Sequence, residues 1–123
     1  MHAADRDAFT AFDMHATTSA DIDRQLATDE LTCVFLWGDD CYNCDIAKGQ
    51  MLLHESRVAS LPVRWLHANV YRDAKLRDRF ALHGVPAFFF FRAGKRLGRI
   101  TGWPGIDAFC KAVLGLTNPP VAT

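Results

Sequence analysis

Residues 34–44 read VFLWGDDCYNC. An apolar run ends at Trp37, a short polar turn follows, and Cys41 and Cys44 stand either side of a Tyr42-Asn43 dipeptide. The run starts at Leu31, and LTCVFLW over 31–37 is rich in strand formers. It predicts a strand covered on both faces, the kind found inside α/β sheets. Downstream, DIAKGQMLLHESRVA over 45–59 predicts a helix. The cysteine pair therefore falls at a strand-to-helix junction, with Cys41 near the helix N-terminus.

Working outward, VRWLHANV over 63–70, introduced by Pro62, predicts a second strand. Strand, helix, strand makes a βαβ unit with parallel strands and a right-handed crossover. Asp73 is placed to cap a further helix, with Leu76 and Phe80 four apart on one face. AFFFFR over 87–92 and KRLGRIT over 95–101 predict a hairpin across an Ala-Gly turn. A last helix runs from Gly105 to Leu116, with Ile106, Phe109, Cys110 and Val113 at core spacing. Upstream, Thr18 and Asp21 have capping-box spacing before Ile22 and Leu26, which mark a short helix face ending near Thr28. The reading is an α/β domain over 19–117, with a mixed sheet of four to five strands flanked by helices. Residues 1–18 form an N-terminal extension in which Phe9 and Phe12 have the i, i+3 spacing of a helix face. The tail NPPVAT, 118–123, is expected to be disordered.

Composition narrows the function classes. Lys+Arg and Asp+Glu number 14 each, so no basic excess draws the chain to nucleic acid or to an anionic membrane. The longest apolar run, VPAFFFF, falls far short of the ~20 residues of a membrane helix. The first residues, MHAADRDAFTAFDMH, carry neither a basic segment nor an apolar one, so no signal peptide is expected. A cytoplasmic, reducing location follows as an expectation. The four cysteines do not have the spacing of a secreted disulfide framework.

Three chemistries compete for Cys41 and Cys44. A thiol attacks a disulfide only as its thiolate, and the N–H groups and dipole of a helix N-terminus stabilise that anion. Cys44, one helical turn on, is near enough to close a disulfide and to release a trapped mixed disulfide. A structural zinc site needs a second ligand pair, whereas Cys33 and Cys110 are isolated and no H-x₃₋₅-H occurs. Two inert thiols would need burial, which the tip of a strand–helix turn supplies poorly. Position and spacing favour redox chemistry, with no metal and no cofactor beyond the redox-active disulfide. Cys33 and Cys110 read as small core residues.

The order of these features resembles the thioredoxin family over roughly Ser19 to Gly115. Trp37, Cys41 and Cys44 are followed by Gly84-Val85-Pro86-Ala87, then by the hairpin and Gly102. The resemblance implies a thioredoxin fold and a cis Val85–Pro86 bond packed beside Cys41. It implies that Cys41 attacks, that Cys44 resolves, and that the Val85 backbone pairs with an extended substrate peptide. Trp37 would shape the active surface, with Gly102 and Trp103 along the substrate groove. Disulfide-containing proteins would be the substrates, a reductase or small thiol the electron donor, and the protein a monomer.

Several residues depart from that family. Tyr42-Asn43 replaces Gly-Pro, a dipeptide that controls redox potential. Phe35 stands where the family has a buried aspartate that assists proton transfer, and His67 stands where its lysine partner would be. Either His67 or a water takes over that transfer, or the resolving step is slower. Asp40 replaces the Trp before the first cysteine. Asp39 and Asp40 together would disfavour the Cys41 thiolate, or else face water with little effect after screening. Gly49 replaces a helix-kinking proline and permits a bend there. The loss of the buried acid keeps open a second function, a binding or assembly module with weak redox activity.

Overall fold

The second strand of the chain, β2 (Thr32–Trp37), has Val34, Phe35 and Leu36 fully shielded from solvent, as its uninterrupted apolar run requires. The computed structural model describes residues 7–117, so the tail expected to be disordered lies outside the described residues. Around β2 the sheet is completed by β1 (His15–Ala16), β3 (Arg64–Asn69), β4 (Ala87–Arg92) and β5 (Lys95–Thr101). The spatial order is β1-β3-β2-β4-β5. β3 runs parallel to both β1 and β2, while β4 is antiparallel to β2 and to β5. The parallel pair β2–β3 is the expected βαβ unit, and the antiparallel end is the expected hairpin.

Helices cover both faces: α1 (Ala8–Ala11), α2 (Ile22–Leu26), α3 (Tyr42–Leu53), α4 (Glu55–Ala59), α5 (Ala74–Arg79) and α6 (Ile106–Thr117). Strand alternation sends Phe35, Phe88 and Phe90 to one face, where they meet Met51 of α3, Val58 of α4 and Phe109 of α6. Val34, Leu36 and Phe89 point the other way, onto Ile22 and Leu26 of α2 and Leu76 of α5. Asp73 caps α5 by accepting from the Leu76 N–H, 3.2 Å, and also accepts from the Ser19 N–H at 2.8 Å, which ties α5 to the start of α2.

Two features differ from the sequence reading. First, no strand was expected before Leu31, yet β1 pairs with β3, His15 opposite Leu66. The Thr17 N–H continues this ladder to the His67 carbonyl at 2.9 Å. Asp7 caps α1 by accepting from the Phe9 N–H, and Phe12 and Met14 are buried in the core. A two-residue strand leaves no alternation to read. Second, the expected continuous helix over 45–59 is broken at His54, whose φ −113°, ψ 42° leaves the helical region. Gly49 lies inside α3, with open space where a β-carbon would stand.

Residues 8–16 thus join the core through Phe12 and Met14 and the sheet through β1. Phe12→Ala is expected to lower the unfolding free energy by about 3 kcal/mol. Urea denaturation checks this, and a loss under about 0.5 kcal/mol would mean that the segment is only loosely attached.

Candidate active site at the β2–α3 junction

β2 ends at Trp37, and the chain turns through Gly38, Asp39 and Asp40 into α3. Gly38 is buried, and a β-carbon there would stand 2.5 Å from the Tyr71 ring, so a larger residue would have to push that half-exposed ring aside. Asp40 takes φ 51°, a left-handed conformation that aspartate tolerates better than most residues. The turn delivers Cys41 as the N-cap of α3, where its Sγ accepts the Cys44 N–H at 3.0 Å. Cys41 and Cys44 are joined as a disulfide, with Cα atoms 5.2 Å apart. Cys41 is partly exposed, whereas Cys44 is fully buried. Cys41 is thus the only one of the pair with any exposure to solvent.

The loop before β4 lies against this disulfide. The Val85–Pro86 peptide bond is cis. The Val85 carbonyl oxygen is 3.6 Å from Cys41 Sγ. Gly102, at φ 79°, donates its N–H to the Pro86 carbonyl at 2.8 Å, which fastens the β5–α6 loop to the same spot. Cys41, Val85, Pro86 and Gly102 are therefore brought together. Trp103 packs its ring on Phe109 at 5.3 Å and Phe88 at 6.0 Å and does not line the groove shared by Val85, Pro86 and Gly102. It is half-buried, covered on one side by the aromatic cluster under α6 and open to solvent on the other.

Tyr42 and Asn43 are exposed on the first turn of α3, Tyr42 at 77%. Of the two aspartates, Asp39 does not face the sulfur unopposed. Its carboxylate accepts two bonds from Arg72, at 3.0 and 3.3 Å. The Asn69 amide and then the Arg72 guanidinium hold the Asp39 carboxyl below the usual carboxylate range. Sequence gave no sign of this pairing, because its partners are 33 residues apart. Asp40 is exposed, and Asp45 lies 3.7 Å from Lys48.

Phe35 and His67 face each other across the β2–β3 pair. Phe35 is fully buried and stacks on Phe88 at 5.0 Å, so an apolar ring fills the interior below the cysteines. His67 accepts the Trp37 Nε1–H at its Nδ1, 3.1 Å. Phe9 stacks on the imidazole at 3.9 Å, and the Lys48 ammonium sits about 5 Å over both the Phe9 and Trp37 rings. Burial is the main force holding the His67 pKa below its ordinary 6.5; the Asp7 charge works against it and Lys48 with it. Lys48 and the docking of Phe9 here carried no signal in the sequence beyond the Phe9–Phe12 spacing. Cys33 and Cys110 are free, buried thiols, and burial pushes both upward in pKa. Among the described residues no three His, Cys, Asp or Glu side chains cluster as a metal site would need.

A mixed sheet in this order, with a Cys-x-x-Cys disulfide at the β2–α3 junction, is the thioredoxin fold. Solved structures share it. A thioredoxin from Trypanosoma brucei brucei matches with a TM-score of 0.74 and 17% identity, over 95% of this chain and 98% of that one. The Malassezia sympodialis thioredoxin Mala s 13 matches at 0.73 and 12%, over 85% and 94%. Thioredoxin f2 from Chlamydomonas reinhardtii matches at 0.70 and 18%, over 87% and 98%. No protein-family model matches the sequence, and no curated protein does. Among the described residues no helix is long and apolar enough to cross a membrane.

The buried imidazole makes a pH prediction. The unfolded chain binds a proton near pH 6.5, and the folded one only at lower pH. Folding stability should therefore fall as pH drops below about 6.5, levelling off once the folded His67 also titrates. His67→Phe should remove that component. In the folded wild type the NMR signal of the Trp37 indole N–H should shift as His67 titrates, with a midpoint below 6.5. A Trp37 signal that is flat down to pH 4 would refute the coupling.

Proposed function

We propose that the protein is a thiol–disulfide oxidoreductase that reduces disulfides in other proteins. The observation that carries this is the asymmetry of the pair: an accessible Cys41 that caps α3 and receives the Cys44 N–H, and a Cys44 with no exposure of its own. In the reduced form the same N–H and the helix dipole would favour a Cys41 thiolate. That thiolate attacks one sulfur of a substrate disulfide, and the other sulfur leaves as a thiolate. The Cys44 thiol then loses its proton and attacks Cys41 Sγ, which regenerates the Cys41–Cys44 disulfide and frees the second substrate thiol. Two electrons have passed from the protein to the substrate. A reductase or a small thiol in a reducing compartment, the cytoplasm on this reading, restores the dithiol.

Val85, Pro86 and Gly102 form the ledge on which an extended substrate segment would rest, and Trp37 supports the cysteine turn from below. Tyr42 and Asn43 sit where they would meet the substrate first and adjust the potential. Asp40 remains a negative charge near Cys41, while the pairing with Arg72 blunts that of Asp39. The interior below Cys44 lacks an acid, and His67 has its Nδ1 engaged by Trp37. These two facts favour a slow resolving step and keep a second reading, a binding or assembly module with weak redox activity.

Two variants separate the readings. Cys41→Ser is expected to abolish reduction of a test protein disulfide, and Cys44→Ser to accumulate mixed-disulfide partners that reductant releases. A module of the second kind would instead hold its partners through reductant. Equilibration against thiol buffers should give a potential near about −270 mV for a reductase; a value of about −180 to −120 mV would make it an oxidant or isomerase.

A further inference from the structure

The ledge at Val85 and Pro86 does not end at the disulfide. It opens into a groove of about 510 Å³ lined by Leu82, Val85 and Pro86 and by Arg99 and Thr101 of β5, with Phe89 as a floor that Phe80 and Arg96 cover completely. Leu82 and Val85 are its half-exposed apolar side chains, and one rim is cationic. Arg99 is exposed, and among the described residues no carboxylate pairs with it. Arg96 on the same strand is spent on the floor itself, its guanidinium 4.5 Å from the Phe89 ring centre. Arg92, Lys95, Arg96 and Arg99 all belong to the β4–β5 hairpin, so a chain of zero net charge concentrates positive charge at this edge.

We infer that this groove gives the protein its substrate preference: it receives the chain flanking a substrate cysteine, and Arg99 pairs with an Asp or Glu in that flank. The inference rests on the oxidoreductase reading and adds a specificity to it. The register places the acid. Gly102 is bonded to Pro86, and Arg99 pairs with Phe89, three residues farther along β4. At about 3.3 Å per residue that is roughly 10 Å from the ledge, less whatever the arginine side chain spans in reaching back. An acidic residue about two to four positions from the cysteine meets it. The half-exposed Leu82 and Val85 take the neighbouring side chains, and a rim charge of this kind acts on partner choice and encounter rate more than on ultimate affinity.

The test uses the full reduced protein and synthetic peptides carrying one cysteine in a mixed disulfide with a chromogenic aryl thiol. Cys41 attacks the peptide sulfur, the S–S bond breaks, and the aryl thiolate leaves with the electron pair and is read by its absorbance. Cys44 then displaces the peptide as its thiol. Peptides differ only by Glu or Lys at each position two to four residues to either side. The readout is the Glu-to-Lys ratio of rate constants, which does not depend on how much of each preparation is active. At the best position this ratio should be about tenfold higher for the wild type than for Arg99→Glu, and the gap should shrink in high salt. Lys95→Glu, on the same strand outside the groove, should keep the wild-type ratio. Ratios that match between wild type and Arg99→Glu at every position, or that Lys95→Glu shifts as far as Arg99→Glu does, overturn the groove while leaving the oxidoreductase reading intact. Failure of both peptides to react with the reduced protein removes that reading, and this inference with it.

Discussion

Burial of β2 on both faces is the constraint from which the rest follows. A strand with four successive buried apolar side chains, Cys33 to Leu36, needs a neighbour on each edge and helices above and below. β3 and β4 supply the edges; α3 and α6 cover one face, and α2 and α5 the other. With both faces closed, the chain can only leave the layer at the strand's end. The cysteine turn is therefore held at a rim of the sheet, backed by the rigid strand before it and the helix after it. The Val85–Pro86 loop enters β4 at the same rim, because β4 runs antiparallel to β2 and starts where β2 finishes.

Around Cys41 the favourable interactions are directional and the unfavourable ones are diffuse. The Cys44 N–H points at the sulfur from 3.0 Å, and the α3 dipole adds up to roughly 1–2 kcal/mol in favour of an anion. Asp39 turns its charge to Arg72 and Asn69, and Asp40 is bathed in water that screens it. The balance favours the thiolate more than the string Asp39-Asp40-Cys41 suggests when read alone. Below the pair, the Phe35–Phe88 stack provides packing and no proton acceptor. The imidazole beside it serves Trp37 and lies beneath Phe9, so N-terminal helix, tryptophan and histidine form one assembly.

The features legible in the sequence were those written in local periodicity. β2, the β4–β5 hairpin and α6 lie within a residue of their expected bounds because each has an unbroken pattern and a marked turn. The Cys41 position was legible because a strand-to-helix junction is a local event. β1 was not, since two residues carry no period and the strand exists only through β3. The Asp39–Arg72 pair, the Lys48 contacts and the packing of Trp103 on Phe88 were hidden for the same reason: each depends on residues brought close by the fold, not by the chain. His54 broke the helix with a residue type that carries no such signal.

The hairpin has a further consequence for how the chain reaches this state. AFFFF is the segment of this protein most liable to pair with its own kind while exposed. Its cover on one edge, β5, begins after only three further residues, across a turn in which Ala93 and Gly94 both take positive φ, 52° and 77°, as tight hairpins require. Hairpins of this size close in microseconds, well before the long crossovers that bring β2 alongside. The outer strand of this hairpin bears Lys95, Arg96 and Arg99. Two such hairpins meeting edge to edge would bring like charges together, so the cations of β5, of which Arg99 lines the groove, also oppose pairing at the open edge of the sheet.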